Sequence, residues 1–242
     1  MELNEALTGQ ERAWNERELV RRQYRSWYRM INRRLAVISG PTVELGSGIG
    51  KFLEAKPDAV LTDIEPTRWT ANVVDAQRLP YEDQVVANLV LLDVFHHVSD
   101  PAAFLDEAQR VLAPGGRIVI VDPYCSTLST PLYRRFHHER TDLSAPAFEC
   151  DSSVAEAPLE SNQARATLIF YRHRNEFAKR WPKLQFVERK RFAFLVYPLS
   201  GGFTRPPMLP TVLYRPLQLA EGLLKPIARL CAFRCLVVLE RR

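Results

Sequence analysis

The first stretch of the chain carries the hydrophobic pattern of an amphipathic helix. Between residues 9 and 37, apolar side chains recur at spacings of three and four, which places them on one helical face. Arginines repeat with the same period on a second face, which either lies in solvent or borders an anionic substrate or a membrane. The apolar positions are Val20, Tyr24, Trp27, Tyr28, Ile31 and Leu35, and the arginines are Arg22, Arg25, Arg29 and Arg33. Gly40 and Pro41 end the predicted helix.

From position 42 onward, short apolar runs alternate with helical segments. The runs occupy residues 42–45, 59–62, 90–92 and 117–121. Continuous apolar runs of this length are typical of strands in a parallel sheet that is covered on both faces. Asp100 and Pro101 form a favourable helix start, and Pro114 with the two glycines after it ends that helix. The alternation predicts an α/β fold with right-handed βαβ units and a doubly wound sheet.

The second half of the chain is less regular. Residues 123–183 contain several prolines and a polar stretch around residues 151–156, and we interpret them as an insertion over the mouth of the sheet. A strand is predicted over 186–197, an apolar helix over 211–230 and a closing strand over 235–240. We therefore treat residues 1–242 as one domain. Its parts are a helical cap (1–39), a ligand-binding core (40–122), a lid or substrate insertion (123–183) and C-terminal strands with an inserted apolar helix (184–242).

A glycine-rich loop follows the first predicted strand. Gly46, Gly48 and Gly50 let the backbone turn sharply there and let a ligand approach without a Cβ in the way. In doubly wound sheets, ligands bind at the carboxyl ends of the strands. A dinucleotide fingerprint requires a glycine where this chain has Lys51, and no phosphate-binding P-loop pattern occurs. The loop therefore argues against an NAD-dependent oxidoreductase.

Four segments in a fixed order resemble the class I S-adenosylmethionine-dependent methyltransferases, in particular the type 11 group with small-molecule and lipid-type substrates. They are the glycine loop, residues 61–66, residues 75–81 and residues 93–101, and the turn at 112–117 follows them. Several motifs in the family's order are far more specific than one glycine loop. The resemblance implies a mostly parallel, seven-stranded Rossmann-like sheet. It also implies S-adenosylmethionine as cofactor and methyl transfer by in-line displacement.

The resemblance also implies a role for individual residues. Glu44 matches the acidic residue near the methionine ammonium, Asp63 the residue that binds the ribose hydroxyls, and Asp75 the residue that meets the adenine amino group. The expected cofactor-binding set is Glu44, Gly46, Ser47, Gly48, Gly50, Asp63, Ile64, Asp75 and Ala76. Two features depart from the family. Asp63 follows Gly46 by only 17 residues, which predicts a clipped first helix, and Asn88 stands where the family often has aspartate.

Candidate catalytic groups lie just beyond the fourth strand, facing the expected methyl-transfer cavity. A general base assists methyl transfer when the acceptor is a hydroxyl. The candidates are Asp93, His96 and His97, and the two histidines alternatively pack at the start of a helix. His137 and His138, beside Glu139 in the insertion, form a second candidate pair. No further ligands stand at recognised metal-binding spacings, so no metal site is predicted.

The net charge of the chain and its apolar segment 211–230 indicate which kinds of partner the protein can bind. The net charge of +5 permits an anionic partner without requiring one. The chain has no basic low-complexity tail or zinc module, which argues against nucleic acid as substrate. Arg215, Lys225 and Arg229 allow the apolar helix to rest on a membrane surface, although packing against the sheet or a second copy also fits. We expect a cytoplasmic protein, since no leader pattern opens the chain, with peripheral membrane contact.

The preferred function is methyl transfer to a small-molecule acceptor that is lipid-linked or a saccharide. Two alternatives stay open: a non-catalytic Rossmann-like binding module, and an RNA or protein methyltransferase that uses the arginine-rich helix. The acceptor atom and the oligomeric state are not determined by the sequence. The intact glycine loop, Asp63 and Asp75 favour an active enzyme over the binding module.

Overall fold

A six-stranded sheet forms the centre of the computed structural model, which describes residues 3–151, 154 and 161–242. The strands are β1 (Thr42–Leu45), β2 (Val60–Thr62), β3 (Val86–Leu92), β4 (Leu112–Pro123), β5 (Leu184–Phe192) and β6 (Arg234–Arg241). The helices are α1 (Leu3–Glu16), α2 (Glu18–Asn32), α3 (Pro101–Val111), α4 (Ser129–Phe136), α5 (Arg165–Thr167), α6 (Arg174–Arg180), α7 (Val196–Ser200), α8 (Tyr214–Ala220) and α9 (Ala228–Cys231). Turns of 3₁₀ helix lie at Lys51–Glu54, Phe95–His97, Thr211–Leu213 and Glu221–Ile227, and a π-helical turn lies at Leu168–Arg172.

The strand order is β2-β1-β3-β4-β6-β5. Strands β1 to β4 pair in parallel, and β6 runs antiparallel between β4 and β5. The α/β class and the mostly parallel sheet are therefore confirmed. The described residues form six strands, one fewer than the seven that the resemblance implies.

Helices cover both faces of the sheet, as expected for a doubly wound fold. Side chains alternate along the central strands because successive residues of a strand point to opposite faces. Leu89 and Leu91 of β3 belong to the core beneath α3, together with Phe104. Val90 of β3 belongs to the core beneath α2, together with Trp27. Asp100 caps α3 as predicted, because its side chain accepts a hydrogen bond from the amide of Ala103.

The single helix predicted over residues 9–37 is wrong in its continuity and its bounds. The chain forms α1 and α2 instead, and Arg17 between them has an extended backbone. Neither glycine nor proline stands at this break, so the hydrophobic pattern gave no sign of it. The break lets α1 turn away from the axis of α2, and the cap consists of two helices.

The segment 211–230, predicted as an apolar helix, is helical along its length but is not one regular α-helix, since α8 and α9 alternate with two 3₁₀ stretches. Pro226 lies inside its second 3₁₀ turn, where it removes a backbone donor and interrupts a regular helix. Glu221 anchors the segment, because its Oε1 accepts the backbone amides of Phe194, Leu195 and Val196 at 2.7–2.9 Å. Several of its large apolar side chains stay exposed, including Leu219 and Leu223.

Smaller differences concern the ends of elements. The helix after β1 is clipped to the 3₁₀ turn Lys51–Glu54, which confirms the expectation from the short spacing. The turn expected at 112–117 is part of β4, and the strand expected over 186–197 is β5, which ends at Phe192. Much of the polar stretch predicted within the insertion lies outside the described residues.

Candidate active site

A cavity of about 780 Å³ opens at the carboxyl ends of β1, β2 and β3. Strand β2 lies on one side of β1 and β3 on the other, so this is the point where the sheet changes its winding direction. Ligands of open α/β sheets bind at such a point, and the volume is in the range of small-molecule sites. The loops after these three strands form its floor, and α1 and α2 form part of its wall.

The glycine loop shapes the floor of this cavity. Gly46 has φ of +66°, and a Cβ there would lie 2.5 Å from a methyl carbon of Val94. Gly48 has φ of +52°, and the nearest atoms to a Cβ there belong to Leu7 and Gln10 of α1. Only glycine adopts this left-handed backbone without cost. The loop therefore runs close to Val94, two residues after β3, and to α1.

Glu44 places an unpaired carboxylate oxygen at the cavity. It is the third residue of β1, its side chain is buried, and its Oε2 has no hydrogen-bond partner among the described residues. Burial raises the pKa of this carboxyl well above its usual value, against a smaller opposite effect of the Ser47 hydroxyl. A buried acid without a partner is costly. The site therefore fits a ligand that brings a cation or a hydrogen-bond donor.

Asp63 directly follows β2 and accepts a hydrogen bond from the glycine loop. Its Oδ2 accepts the amide of Gly48 at 3.0 Å, and its Oδ1 accepts the amide of Ile64 at 2.9 Å. Burial raises the pKa of Asp63, and these two amides partly offset the effect. Each carboxylate oxygen has a further lone pair available to accept hydroxyl hydrogens from a ligand.

Asp75 also lines the cavity. Its Oδ1 accepts the backbone amide of Gln77 at 2.8 Å and the side-chain amide of Gln77 at 3.1 Å. The other end of the Gln77 side chain accepts from Ser99 and from the amide of Asp100. This network ties the loop after β2 to the start of α3 and fixes the position of the Asp75 carboxylate.

Every residue expected to bind the cofactor, with the exception of Gly50, lines this one cavity. The lining residues are Glu44, Gly46, Ser47, Gly48, Asp63, Ile64, Asp75 and Ala76. Gly50 instead turns the chain into the 3₁₀ segment that follows, with φ of +65° and Leu61 beside it. The assignment of individual binding roles stays a prediction.

Asp93 also lines the cavity, but its carboxylate is already engaged. It follows β3 directly with φ of +59°, which is uncommon outside glycine and turns its side chain toward α2. Tyr24 donates its hydroxyl hydrogen to Asp93 Oδ2 at 2.8 Å, and Arg234 forms an ion pair with Oδ1. Arg234 in turn contacts the hydroxyl of Tyr197. Both carboxylate oxygens of Asp93 are thus already bonded within the protein, which favours a positioning role.

The two histidine pairs meet around one buried carboxylate, Glu139. One ring nitrogen of each of four histidines lies 3.4–3.7 Å from a carboxylate oxygen of Glu139. The histidines are His96, His97, His137 and His138. His97 also lines the cavity, so the cluster borders the space where an acceptor would meet the cofactor. The insertion therefore contributes directly to the site.

A second carboxylate orients His96. Its Nδ1 lies 2.8 Å from Asp122 Oδ1, so its Nε2 is directed to Glu139. Burial disfavours a charge on His96, but the attraction of Asp122 and Glu139 outweighs burial and raises the pKa of His96 to about 10. His96 is buried and is not among the lining residues, so His97 is the histidine with direct access to a ligand.

Several lining residues were not identified from the sequence. Leu7 and Gln10 of α1, Tyr24 and Tyr28 of α2, and Phe203 after α7 complete the wall. The two tyrosines did appear in the sequence, but as members of an apolar stripe. No local motif marks any of these positions, because it is the packing of distant segments that brings them to the sheet edge.

Two of the four arginines of the stripe form ion pairs with described residues. Arg22 contacts Glu18 and Arg25 contacts Glu54, each as an ion pair between partly exposed side chains. Exposed pairs of this kind contribute little to stability. They do reduce the charge available to a nucleic acid or an acidic protein, which weakens the alternative that the stripe binds such a substrate.

A comparison with family models matches residues 43–120 to a methyltransferase domain of type 11. The matched segment begins in β1 and ends in β4, and it includes the glycine loop, Asp63, Asp75, Asp93 and both histidines after β3. The match therefore covers the floor of the cavity. The insertion with Glu139 and the C-terminal strands lie outside it.

Two curated proteins are similar to part of the chain. A demethylmenaquinone methyltransferase of Clavibacter sepedonicus is 34% identical over 108 residues, which are 45% of this chain and 38% of that protein. The methyltransferase GfsG of Streptomyces halstedii is 32% identical over 88 residues, 36% of this chain and 32% of that protein. The chain thus matches about a third of the length of these relatives.

Solved methyltransferase structures share the fold over nearly the whole chain. A putative methyltransferase from Haloferax volcanii, solved with the Trm112 activator, has a TM-score of 0.55 at 14% identity and covers 99% of this chain and 97% of that chain. A geranyl diphosphate C-methyltransferase from Streptomyces coelicolor A3(2) has a TM-score of 0.52 at 14% identity and covers 92% and 80%. At this identity the likeness establishes the fold alone.

Proposed function

We propose that this chain, whose residues 43–120 form a class I methyltransferase domain of type 11, transfers a methyl group from S-adenosylmethionine to a small-molecule acceptor. The observation that carries the proposal is the gathering of the expected cofactor residues around one cavity at the switch point of the sheet. A binding module that had lost its ligand would have no reason to keep an unpaired buried carboxylate there. This favours an enzyme over the non-catalytic alternative.

The cofactor site is formed by the chain's own acidic residues and glycine loop. Glu44 pairs with the cofactor ammonium, which supplies the partner that its buried oxygen lacks. Asp63 accepts hydrogen bonds from the ribose hydroxyls, and Asp75 with Ala76 borders the adenine. S-adenosylmethionine, when bound, supplies an activated methyl group on a positively charged sulfur. The glycine loop allows the close approach that this arrangement needs.

The acceptor is proposed to lie between Asp93 and His97, where the cofactor site meets the histidine–glutamate cluster. Holding donor and acceptor in line supplies up to about 7–11 kcal/mol of the rate enhancement. For a hydroxyl acceptor, the cluster around Glu139 takes up the proton as the new oxygen–carbon bond forms. Tyr24 and Arg234 hold Asp93 and thereby shape the acceptor side of the cavity.

We favour an amphipathic acceptor, such as a lipid-linked or saccharide-bearing molecule. Leu7, Tyr28, Val98 and Phe203 give part of the cavity wall an apolar character. The relative from Clavibacter sepedonicus is named for demethylmenaquinone, which supports an acceptor of small-molecule size. The polar groups at Asp93 and His97 would then face the reacting end of the acceptor.

Peripheral membrane contact forms part of this proposal. Leu219 is 79% exposed and Leu223 is 82% exposed, and Arg215 and Lys225 lie in the same segment. Apolar side chains next to cations are typical of segments that rest on an anionic bilayer surface. Of the helices that the structure describes, none has the length and apolar character needed to cross a membrane.

A variant of His97 tests the assignment of the acceptor side. His97→Asn should leave the affinity for S-adenosylhomocysteine within about twofold and lower turnover with a hydroxyl acceptor by roughly 10²–10⁴-fold. His173→Asn is the matched control, because His173 lies outside the cluster and pairs with Glu176. Acceptors would be screened by release of S-adenosylhomocysteine. Unchanged turnover in His97→Asn would exclude this cluster as the proton acceptor.

A further inference from the structure

The cluster around Glu139 has the separations of a metal-binding site. His96 Nε2 lies 3.4 Å from Glu139 Oε2, and His97 Nε2 lies 3.5 Å from Oε1. A direct charge-assisted hydrogen bond is about 2.7–2.9 Å long. Two ligand atoms that are each about 2.0–2.2 Å from one ion lie roughly 3.0–3.4 Å apart. The observed separations are thus closer to those of ligands that share an ion.

We propose that His96, His97 and Glu139 bind a divalent transition-metal ion at the acceptor side of the cavity. Their three ligand atoms lie within 4.8 Å of one another, and binding one ion would close these separations to the roughly 3.0–3.4 Å expected of shared ligands. Asp122 supports this arrangement. Histidines that ligate metals usually direct their other ring nitrogen to a carboxylate, as His96 does through Nδ1 at 2.8 Å.

A second set of possible ligands shares the same glutamate. His137, His138 and Glu139 also present three ligand atoms within 4.8 Å of one another. Gln163 Nε2 donates to Oε2 of the shared glutamate at 2.9 Å, which affects both sets, but it also lies 2.6 Å from His137 Nδ1 and so engages a histidine of the second set alone. His138 is largely exposed, whereas His96 and Glu139 are buried. The His96 set is therefore the better preorganised site.

The ligand types restrict which ion fits. Two imidazole nitrogens and one carboxylate suit Zn²⁺, Fe²⁺ or Mn²⁺. Mg²⁺ and Ca²⁺ prefer oxygen ligands and would bind this set weakly. Asp122 and Glu139, the two carboxylates that favour a positive charge on His96, would instead compensate a divalent ion that replaces the proton on His96 Nε2.

The ion would act on the acceptor, and this role rests on the proposed function. Three protein ligands leave coordination positions of the ion open. Because His97 lines the cavity, these open positions would lie next to it. An acceptor hydroxyl or carboxylate oxygen would complete the coordination. A hydroxyl bound in this way would have a lowered pKa, and its proton would pass to water instead of to the cluster, whose histidines and glutamate would then serve as ligands. The inferred acceptor class is therefore a molecule with an oxygen able to bind a metal.

The test measures metal binding without cofactor or acceptor. The tag-free chain is stripped with a chelator and titrated calorimetrically with Zn²⁺, with Mg²⁺ as comparison. One equivalent of Zn²⁺ should bind per chain, and Co²⁺ should give the visible absorption of a nitrogen-ligated site. Glu139→Gln and His97→Asn should each weaken Zn²⁺ binding by more than about 100-fold. Asp122→Asn should weaken it by about 10–100-fold.

Two further histidine variants serve as controls. His173→Asn and His138→Asn should keep Zn²⁺ affinity within a few-fold, since neither residue belongs to the proposed ligand set. Loss of binding in His138→Asn, or unchanged binding in Glu139→Gln, would overturn the assignment. A folded chain that binds no Zn²⁺ overturns the metal site itself. Binding of S-adenosylhomocysteine by the metal-free protein is measured separately. A failure of the proposed function is thereby distinguished from a failure of the metal site.

Discussion

Glu44 is unfavourable to bury in the ligand-free protein, but the proposed cofactor site requires its negative charge. Its side chain is buried, and one of its oxygens lacks a partner among the described residues. A neutral amide of the same shape would be easier to bury than a carboxylate. A bound cofactor ammonium reverses this preference, because it needs the negative charge. Replacing Glu44 by glutamine should therefore raise the stability of the ligand-free protein and lower its affinity for the cofactor.

Glu44→Gln should raise the melting temperature of the ligand-free protein and weaken S-adenosylhomocysteine binding by roughly 10–100-fold, about 1.4–2.8 kcal/mol. Thermal unfolding and calorimetry on the same sample measure both quantities. Glu54→Gln is the control, since Glu54 is half exposed, pairs with Arg25 and does not line the cavity. Equal affinity in wild type and Glu44→Gln would contradict the role given to this carboxylate.

Individual site residues were predictable where a local motif marks them. Glu44 lies near the end of β1 and Asp63 directly follows β2, so their position at one sheet edge follows from parallel topology, whereas Asp75 lies in the long loop before β3 and was marked by its motif alone. Tyr24 and Arg234 were not predictable. Their meeting at Asp93 depends on how α2 and β6 pack, and no short-range pattern records such a contact.

At the scale of elements, the break between α1 and α2 matters most for the site. Arg17 stands at the break, and its Nη1 donates to the carbonyls of Gly202, Phe203 and Arg205 at 2.6–3.2 Å. Phe203 lines the cavity, as does Leu7 of α1. Arg17 therefore joins two separate parts of the cavity wall.

Replacing Arg17 should loosen both parts of the wall. Arg17→Ala leaves three carbonyls without their donor, and we expect a loss of about 1–3 kcal/mol in unfolding free energy and weaker S-adenosylhomocysteine binding. Chemical denaturation and calorimetry test this. Arg12→Ala is the matched control on α1, because Arg12 only pairs with exposed Glu16 and should change neither quantity. Equal effects of the two substitutions would show that Arg17 has no special role.

The hydrophobic pattern predicted elements well where burial decides them and poorly where the chain turns. The central strands and α3 follow from apolar runs and a clear helix start. The break at Arg17 has no sequence breaker, and the segment after Thr211 keeps an apolar pattern despite Pro226. A periodic pattern fixes which face is apolar, but it does not fix whether the helix is continuous or whether that face is buried.

At the scale of the whole molecule, the candidate site is assembled from distant parts of the chain. His96 and His97 follow β3, whereas Glu139 lies about 40 residues later in the insertion. The sequence offered both histidine pairs as candidates but gave no reason to join them. Only the fold brings them around one carboxylate, so the metal site that we propose there could not be predicted from the sequence.

The exposed apolar segment gives the molecule a surface that membrane binding would use. The double substitution Leu219→Glu with Leu223→Glu should weaken co-sedimentation with phosphatidylglycerol-containing vesicles by at least about tenfold, because both side chains stand in solvent in the protein alone. Val37→Glu is the control, as Val37 is fully exposed elsewhere. Equal vesicle binding by all three proteins would remove this segment as the contact surface.

The most direct test of the proposed function is calorimetric titration of the purified chain with S-adenosylhomocysteine, with NAD as comparison ligand. We predict saturable binding of one equivalent and no measurable binding of NAD, since Lys51 replaces the glycine of a dinucleotide loop. Binding should be lost in Asp63→Ala and in Gly48→Val, where φ of +52° excludes a branched side chain. Absence of binding at millimolar S-adenosylhomocysteine, in wild-type protein shown to be folded, would contradict the assignment of this cavity as a cofactor site.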